Sequence, residues 1–552
     1  MKKIFIVSLG VVALLTFLGR ELNPLDLHFF KVHDNTQVAR LSEFAFNLKS
    51  GIIPPRIAPH FSFNHGFPVF NFYAPFSYWI GGIMSLVVSP AIALKALLLL
   101  GLIFSFVSMF VLIASLFPMW TALLSASVYS SSLWMAVEIF VRGNVGEVWF
   151  MALFPLALFF LTTTRTKNSV WFFIGGTITI AATLTVHNVL SLVSLLIFIC
   201  LLLIIPKKKT AMSIMFFALL ISASFLFPAL VENRLTYASS IASKTNYADH
   251  FLCPWQLWKA QNWSYGGSGI GCMNDDMSFQ LGKPHIILGL LGLVAFLYGY
   301  MWKRKGIHAQ FSFYLLAIGI GSTFLTLPYS KPVWDLLSPV MKVFQFPWRF
   351  IPLILFAISY FSAYVFLYIK NAKIQMSLVI IASLCLFFLS GKFFSQPWKY
   401  SLDEYTSQFL TEKYIERKAA YEIPEYFPRT GSYEEWRTYE KNGKEFYANP
   451  LITLRDEPFN KQYKTVVEKT TLPLHYFPVW HISIAGKGTV PQEFDSLGRP
   501  QIVAPIGSII TVIYGQTAVE MFGTILTLIG ILALVFLGTN KNLWQKLRHI
   551  NN

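Results

Sequence analysis

Apolar residues form long, nearly unbroken runs along this chain, and short polar segments that often contain Lys or Arg separate them. A helix needs about 20 apolar residues to cross the bilayer core, and most of the runs approach or reach that length. The runs cover residues 4–18, 73–90, 92–113, 119–136, 147–163, 170–186, 189–206, 211–229, 285–301, 311–328, 350–369, 375–390 and 518–538. We therefore predict an all-α polytopic membrane bundle of about 12 to 13 hydrophobic helices.

Residues 391–516 break this pattern, because they carry far more charge than the rest of the chain. Their first part, 403–422, is predicted to be helical. Short runs rich in β-branched and aromatic residues follow, separated by Gly and Pro, and this predicts strands. We expect an extracytoplasmic, mostly-β domain (α+β or a β-sandwich) at 391–516. It would follow a transmembrane domain at 1–390 and precede a final transmembrane helix with a basic cytoplasmic tail at 517–552.

The overall composition supports a membrane location. The chain is 55% hydrophobic and 13% charged, whereas soluble domains contain about 25% charged residues. A formal net charge of +17 would suit a nucleic-acid partner if the basic residues formed one patch. They instead lie in short runs between apolar segments, which is the positive-inside pattern. We therefore expect membrane lipids as partners and no nucleic acid.

The basic runs also predict the orientation. Lys2 and Lys3 place the N-terminus in the cytoplasm, and the basic residues at 541–548 place the C-terminus on the same side. The first apolar run has signal-peptide length, but no small-residue cleavage site follows it, so we favour an uncleaved span. We expect the cytoplasmic (inner) membrane of a bacterium or archaeon, with an extracytoplasmic active face. The external loops would be 20–72, 230–284 and 329–349.

The number of crossings adds a constraint. Four apolar runs separate the external segment 20–72 from Arg165, which should be internal. One run between 73 and 163 therefore does not cross. We expect this run to be 119–136, interrupted near Ser130–Ser132, as a broken or re-entrant helix. About twelve crossings would then leave both termini cytoplasmic.

The four cysteines fall into two groups. Cys200 and Cys385 lie within predicted spans and are expected to be packing residues. Cys253 and Cys272 share one external loop, where an oxidising compartment permits a disulfide, and we predict that they are paired. No second cysteine pair accompanies them, so a cysteine-based metal site is not expected.

The segment after the first span holds the first candidate catalytic residues, His33 and Asp34. Apolar residues at helical spacing predict an amphipathic helix over 35–49 on the membrane surface. Asp34 stands at its N-cap position, and Gln37 completes a capping-box-like pattern. Asp34 could serve only as a cap, or the cap could also aim a carboxylate into a cavity. Arg40 lies on the same helix and is a candidate for binding substrate.

Further candidates follow along the chain. Residues 51–79 are rich in aromatic residues and proline, which predicts an ordered loop at the membrane interface. Within this loop, Arg56 and His60 are candidates for binding phosphate. Charged and polar residues at span ends are costly near a bilayer and need partners or a wet cavity. These are Arg142, Glu147, His187, Asn188 and Arg349.

Each span-end candidate also has a purely structural interpretation. Arg142 and Glu147 could form an ion pair. Arg349 could extend its charged end to the interface while its stem stays apolar. His187 and Asn188 could form the polar tip of a hairpin.

Several motifs resemble those of a known family. The His-Asp pair, the short helix, the PPR of 54–56 and the HGFPVFNFYAPFSYW of 65–79 resemble the membrane proteins termed 6-pyruvoyl-tetrahydropterin synthase-related. That family is similar in layout to the GT-C superfamily of glycosyltransferases that use polyprenyl-phosphate sugars. Further matches are IFVRGNVGEVW (139–149), LTVHNVLSL (184–192) and VFQFPWRF (343–350). The C-terminal YFPVWHISIAG (476–486) followed by a final span is similar to YfhO-type bacterial proteins, so the resemblance covers nearly the whole chain.

The resemblance implies a GT-C-like fold with Asp34 as the catalytic carboxylate. It also implies that Arg349, in the FPWR motif, is a site residue. The same holds for Arg142 and Glu147, in the VRG-x-x-x-E motif. GT-C enzymes with a metal site often show a second acidic residue beside the first, but residue 35 is Asn. A divalent cation (Mg²⁺ or Mn²⁺) held by Asp34 therefore stays an open question, and no other cofactor is expected.

The residue types suit glycosyl transfer on chemical grounds. An acceptor hydroxyl needs a carboxylate to take its proton, and the departing phosphate needs cations. We expect an inverting GT-C-type enzyme that moves a sugar from a polyprenyl-phosphate donor to an envelope lipid, glycan or protein. Asp34 would be the base; Arg56, Arg142 and Arg349 would hold phosphate. His33, Glu147 and His187 would shape the site.

Two other functions stay open. A transporter or flippase of lipid-linked glycans would show paired discontinuous helices and charges midway along spans. A non-catalytic envelope assembly factor would act through the external β domain.

Overall fold

The computed structural model describes most of the chain with its side chains. The described residues are 2–164, 169–238, 240, 246–259, 263, 266–303, 307–442 and 451–540. Arg165 and the basic stretch 541–548, on which the predicted orientation depends, lie outside these ranges.

The described chain is mostly helical. Its main helices are α1 (Lys2–Phe17), α2 (Gln37–Lys49), α3 (Phe76–Met84), α4 (Pro90–Ala114), α5 (Met119–Ser130), α6 (Leu133–Arg142), α7 (Val145–Thr162), α8 (Val170–Leu184), α9 (Asn188–Leu201), α10 (Lys208–Val231), α11 (Lys283–Lys303), α12 (Ile307–Thr326), α13 (Ile351–Ser362), α14 (Ala372–Gly391), α15 (Leu402–Phe409), α16 (Glu412–Arg417), α17 (Tyr433–Asn442) and α18 (Ala518–Thr539).

Within the described residues, seven helices are long and apolar enough to cross a bilayer, and two bent helix pairs raise the number to nine. The bent pairs are α5 with α6, at 45°, and Ser338–Phe344 with Pro347–Ser362, at 79°. Helices α1, α8 and α9 are apolar but shorter. The chain is thus a multi-pass membrane protein, as its hydrophobic runs predict.

The apolar run 73–90 does not form a spanning helix. Only α3 forms there, and its nine residues rise about 14 Å, half of a bilayer core. α3 packs closely on α2: a Cβ added to Gly82 of α3 would stand only 2.5 Å from a ring carbon of Phe44 of α2. The run 119–136 is interrupted between Ser130 and Leu133, and α5 and α6 bend there by 45°, as expected for a broken or re-entrant helix. The run 73–90 is thus a second run in this region without a helix long enough to cross.

Helix α2 is not a surface helix, which corrects the prediction. Its apolar side packs on α3 and α4, and its polar residues Gln37, Arg40, Glu43 and Asn47 are also buried. The side-chain amide of Asn47 donates to the Ile57 carbonyl at 2.9 Å. Both faces of α2 therefore contact protein, and its polar face is available to build a site.

All described strands but the first lie between α14 and α18. The strands are β1 (His28–Phe30), β2 (Lys399–Ser401), β3 (Leu451–Glu457), β4 (Asn460–Thr465), β5 (Lys469–Thr471), β6 (Trp480–Ile484), β7 (Lys487–Thr489), β8 (Glu493–Phe494), β9 (Pro500–Val503) and β10 (Ile509–Tyr514). Strands β3–β10 form two antiparallel sheets. One sheet has the order β3-β4-β10-β6-β7 and the other β5-β9-β8.

Strands β4, β9 and β10 alternate more buried and more exposed residues; in β10, Ile510 and Val512 point into the core. In register, Ile510 faces Ile484 and Val512 faces Ile482. The separate pair β1–β2 joins the first external segment to the start of the C-terminal region. This pairing brings together chain regions about 370 residues apart, such as His28 and Ser401.

The loop before α11 is cross-linked. Cys253 and Cys272 form a disulfide, which is the pairing expected from their shared loop. Cys200 and Cys385 are free cysteines on exposed helix faces, and not packed in the core as expected.

Candidate functional site

A cavity of about 860 Å³ lies where the first external segment, α9, α10, the loop before α13 and residues 414–426 meet. Of the predicted site residues, it brings together His33, Asp34, Arg40, Arg142, His187, Asn188 and Arg349. Glu147 lies directly behind Arg142. Sequence positions from 33 to 426 thus meet at one place.

One wall of the cavity is apolar. It is formed by Leu192 and Leu195 of α9 and by Leu226 and Leu230 of α10. Leu192 and Leu230 are largely exposed at the protein surface. The wall follows α9 for about two turns, roughly 10 Å at 1.5 Å per residue. This wall offers apolar surface continuous with the outer faces of membrane helices.

The opposite side is cationic and comprises Arg40, Arg142, Lys342 and Arg349. Lys342 and Arg349 flank the break in the second bent pair, whereas Arg142 is the last residue of α6, at the end of that helix away from the first break. A helix break leaves backbone groups and side chains free to face a cavity. The second bend therefore positions Lys342 and Arg349.

Asp34 is held by backbone hydrogen bonds to the end of α6. The amide of His33 donates to the Val141 carbonyl at 2.8 Å, and that of Asp34 donates to the Arg142 carbonyl at 2.9 Å. Gly143 permits this approach, because its φ is +67° and a Cβ there would stand 2.7 Å from Val32 Cγ2. Only glycine meets both requirements without strain.

The Asp34 carboxylate does not cap α2. Its Oδ2 accepts from the side-chain amide of Gln37 at 2.7 Å, and its Oδ1 accepts from the Thr36 hydroxyl at 3.0 Å. Arg40 Nη2 stands 3.5 Å from Oδ1. The helix begins at Gln37, and the residue at its N-cap position, Thr36, makes no capping side-chain bond. The predicted N-cap role of Asp34 is therefore wrong. The side chain is 25% exposed, and this exposed part faces the cavity.

Arg40 is buried and bridges this carboxylate to an aromatic cluster. Its Nη2 donates to Thr36 Oγ1 at 2.6 Å, and its Nη1 donates to Tyr78 Oη at 3.1 Å. The guanidinium also lies 4.5 Å from the centre of the Tyr73 ring. The guanidinium is therefore fixed on several sides beside Asp34.

Arg142 holds two buried carboxylates. Its Nη1 lies 2.6 Å from an oxygen of Glu138 and 2.6 Å from an oxygen of Glu147, and both glutamates are fully buried. Its guanidinium stacks on Trp348 at 4.7 Å. The predicted ion pair is thus present, with Glu138 as a second acid. Because two carboxylates share one cation, Arg142 is less available to an incoming phosphate.

His187 caps α9 and turns its other nitrogen to Glu147. Its Nδ1 accepts from the amides of Val189 and Leu190, both at 3.2 Å. In a neutral ring the proton is then on Nε2, which stands 3.7 Å from Glu147. Burial lowers the pKa of His187 to about 3, so the ring is neutral at pH 7.

Asn188 is a brace between segments. Its Oδ1 accepts from the Ala74 amide at 2.8 Å, and its Nδ2 donates to the Phe72 carbonyl at 2.7 Å. The same Nδ2 lies 3.3 Å from Tyr426 Oη. Asn188 therefore locks the aromatic loop and residues 414–426 to the start of α9.

Arg349 and Lys342 are the cations with the most free capacity. Among the described residues, neither has a carboxylate oxygen within the 4.0 Å ion-pair distance. Arg349 Nη1 donates to the Phe344 carbonyl at 3.0 Å, and its guanidinium lies 5.2 Å from the Phe346 ring centre. Its Nε is buried without a partner. These two side chains are the most suitable for an anionic ligand.

Residues 414–426 cover the cavity, and we call them the roof segment. The lining residues are Tyr414, Glu422, Ile423, Glu425 and Tyr426. Burial raises the pKa of the Glu425 carboxyl above its usual value. We did not predict these residues, nor Lys342 and Tyr73. The two glutamates beside a tyrosine, at 422–426, were the available signal.

Two predicted phosphate ligands lie outside this cavity. Arg56 is buried and donates from Nη1 to the Ser224 carbonyl at 2.7 Å. Its charge acts on Glu232 and Glu520, which both accept from Asn71. Arg56 thus belongs to a buried cluster joining α10 and α18, which explains why it is not available to phosphate in the cavity.

His60 lines a second cavity of about 530 Å³, on the opposite side of α16. Its Nδ1 stands 2.8 Å from Glu43 Oε1. Burial lowers the pKa of His60, but the Glu43 carboxylate more than offsets this and leaves the pKa above its usual value. The carboxylates around it, including Glu412 and Glu416, would repel phosphate. The structure therefore separates His60 from the candidate site.

The donor groups do not fit a metal centre. Within the described ranges, no three His, Cys, Asp or Glu side chains are grouped so that they could hold a metal ion. The Asp34 carboxylate is occupied by hydrogen-bond donors, and Asn35 follows it. The divalent cation (Mg²⁺ or Mn²⁺) that the sequence left open therefore has no role in the proposed chemistry.

These observations define a class: a multi-pass membrane protein with a small C-terminal β-sheet region and a cavity that is apolar on one side and cationic on the other. Neither the family models nor the curated proteins include one that matches the chain. Among solved structures, the fold is similar to an archaeal oligosaccharyltransferase, that of Archaeoglobus fulgidus in its apo form, with a TM-score of 0.47 and 9% identity. The match covers 81% of this chain and 60% of that chain. The chain thus spans less than two thirds of the neighbour's length.

Proposed function

We propose that this protein is a GT-C-type glycosyltransferase that moves a sugar from a polyprenyl-phosphate donor to an envelope lipid, glycan or protein. The reaction would occur at the outer face of the cytoplasmic membrane. One observation carries the proposal: among the described residues, a single cavity joins an apolar wall, two cations without carboxylate partners and an oriented carboxylate. An amphipathic lipid phosphate bearing a sugar has a part that matches each of these three features.

The apolar wall on α9 and α10 would take the first isoprene units. Burying apolar area is favourable by about 25 cal/mol per Å², so even a short contact with the tail contributes to affinity. Lys342 and Arg349 would bind the phosphate, the arginine through two parallel hydrogen bonds. A lipid entering from the bilayer would meet the apolar wall first and the cations next.

Asp34 would act as the general base. A carboxylate has about four acceptor positions, and Thr36, Gln37 and Arg40 occupy three of them, which leaves one for an acceptor hydroxyl. The hydroxyl proton would pass to Asp34 as its oxygen bonds to the anomeric carbon. The bond from that carbon to the phosphate oxygen would break at the same time, with inversion. The polyprenyl phosphate would leave with added charge, which Lys342 and Arg349 would offset.

A second function has one observation in its favour. Transporters of lipid-linked glycans use discontinuous helices around a central site; here the second bent pair is interrupted at the cavity and the first ends there at Arg142. A flippase would bind the same lipid but would not break the bond between sugar and phosphate. Counter-flow of a fluorescent lipid-linked glycan in proteoliposomes measures transport, whereas the release of polyprenyl phosphate measures transfer.

The decisive experiment compares envelope glycans by mass spectrometry. Strains would lack the native gene and carry either the wild-type protein or Asp34→Asn. We expect one glycan, glycolipid or glycoprotein to lose a sugar in both the deletion and the Asp34→Asn strain. Full restoration by Asp34→Asn, with equal protein levels in the membrane, would overturn the proposal.

A further inference from the structure

The proposed chemistry does not use Glu425, although this carboxylate lines the same cavity. It lies in the helical turn Pro424–Tyr426 of the roof segment. Within the described ranges, no Lys, Arg or His nitrogen comes within the 4.0 Å ion-pair distance of it. A carboxylate in a cavity without an ion-pair partner keeps most of its acceptor capacity for a ligand.

The position of Glu425 is fixed by its neighbours. Ile423 and Tyr426 are both buried. The Tyr426 hydroxyl accepts from Asn188 at 3.3 Å, and its ring stacks on Phe72 with centroids 5.8 Å apart. Because Ile423 and Tyr426 are packed on either side of Pro424–Glu425, a rigid turn holds the carboxylate in place. Rigid presentation is what a specific binding group requires.

The charges around Glu425 indicate what kind of group it can meet. Arg40 and Arg349 attract this carboxylate, and Asp34 repels it. It therefore lies near Arg349, one of the two cations proposed to hold phosphate, and a phosphate oxygen placed against it would be repelled. The lipid tail carries no hydrogen-bond donor. The group opposite Glu425 must then be a donor, and in a glycosylated lipid phosphate the hydroxyl groups of the sugar are the donors.

We propose that Glu425 binds sugar hydroxyl groups in this cavity and so selects a glycosylated ligand over the bare lipid phosphate. The inference rests on the proposed function and deepens it. Two sources share this chemistry: the sugar attached to the lipid donor, and the sugar of a glycan acceptor. Hydrogen bonds to a charged group are among the stronger ones, so the loss of Glu425 should be measurable in binding.

The test measures what a sugar adds to lipid binding. Full-length protein in nanodiscs would be titrated with undecaprenyl phosphate and with undecaprenyl-phosphate-linked glucose, mannose, galactose and N-acetylglucosamine. For the wild type we expect the best glycosylated lipid to bind at least tenfold more tightly than undecaprenyl phosphate. Glu425→Ala should reduce this ratio to about one, while the affinity for undecaprenyl phosphate should stay the same or rise, because a carboxylate that repels phosphate is removed. Glu425→Gln, which keeps one acceptor oxygen, should give an intermediate ratio.

Two arms complete the design. The free methyl glycosides of the same sugars, added with bound undecaprenyl phosphate, report on an acceptor sugar; if only this binding depends on Glu425, the acceptor is the source. Glu435→Ala, an exposed glutamate of α17, is the matched control and should behave as wild type. The inference would be overturned if the wild type bound glycosylated lipid and undecaprenyl phosphate equally well, or if wild type and Glu425→Ala gave the same affinity ratio.

Failure of the underlying proposal looks different. If undecaprenyl phosphate does not bind the wild type, or binds Arg349→Gln equally well, then the proposed function fails at its phosphate site. If binding of undecaprenyl phosphate depends on Arg349, but the affinity ratio of glycosylated lipid to undecaprenyl phosphate does not depend on Glu425, only the present inference is wrong.

Discussion

The Asp34 carboxylate accepts a hydrogen bond of 2.7 Å from the side-chain amide of Gln37, and not from a backbone amide of α2. A carboxylate that caps a helix contributes about 1 kcal/mol to stability, and Asp34 makes no such contribution here. Its hydrogen bonds orient it toward the cavity. Function and stability should therefore separate at this residue.

We expect Asp34→Asn to reduce glycosyl transfer by at least 100-fold, because general-base catalysis contributes about 10² to 10⁴. The midpoint of thermal unfolding should fall only modestly: the buried Arg40 loses its carboxylate partner, but asparagine can keep the bond to Gln37, and Arg40 keeps its bonds to Thr36 and Tyr78. Transfer would be followed as release of undecaprenyl phosphate. Asp403→Asn, an exposed carboxylate on α15, is the control. A large loss of stability in Asp34→Asn would show that Asp34 is a structural residue.

Arg142→Gln should be strongly destabilising. The substitution leaves Glu138 and Glu147 fully buried without their shared cation, and breaking a buried ion pair in this way costs about 3–5 kcal/mol. The measurement is thermal unfolding in detergent, together with the yield of folded protein. The triple variant Glu138→Gln, Arg142→Gln, Glu147→Gln removes all three charges and should recover much of the loss. Equal stability of the single variant and wild type would contradict the buried cluster.

Arg349→Gln should show the opposite behaviour. Among the described residues this arginine has no carboxylate partner, so its removal leaves no buried charge unpaired and should not lower the unfolding midpoint. The affinity for undecaprenyl phosphate should fall at least tenfold, since a charge-assisted hydrogen bond is lost. Arg349→Lys keeps the charge but not the planar fork and should be intermediate. Arg455→Gln, an exposed arginine on β3, is the control; an unchanged affinity in Arg349→Gln would argue against phosphate binding here.

The helices were predictable from the sequence where the length needed to cross a bilayer dominates. The apolar run 518–538 corresponds to α18, Ala518–Thr539, and 211–229 lies within α10, Lys208–Val231. The pattern fails at 73–90 because the packing of Gly82 against Phe44 of α2 is a tertiary contact. Apolar composition alone does not separate a spanning helix from a short helix packed on another one.

The candidate site was predictable in part. Arg142 and Arg349 were named from their residue types at span ends, and Asp34 from its place after the first span and from the family resemblance. The structure places all three around one cavity. The roof segment could not be predicted, because Tyr426 reaches the cavity through a contact with Asn188, 238 positions away. Arg56 was misplaced for a related reason, since its environment depends on Glu232 and Glu520 from two distant helices.

A buried histidine in the C-terminal region should make the stability of the protein depend on pH. His475 Nε2 stands 2.8 Å from the Ser62 hydroxyl, and its Nδ1 stands 2.9 Å from the Leu497 carbonyl. Burial lowers the pKa of His475 to about 3, with a further lowering by the charge of Arg499. His65 lies beside it, with ring centroids 5.2 Å apart, and burial also lowers the pKa of His65 well below its usual value.

The sign follows from proton binding. Between pH 6.5 and 3 the unfolded chain binds a proton at His475 and the folded chain does not, so the free energy of unfolding falls as the pH falls. From pH 7.5 to 5.5 this one group should remove about 1.4 kcal/mol, which is one pKa unit of linkage. In His475→Gln the loss over the same interval should be smaller by that amount. The measurement is unfolding in detergent at both pH values, with His481→Gln on the exposed side of β6 as the control. Equal pH dependence in wild type and His475→Gln would mean that His475 is charged in the folded protein.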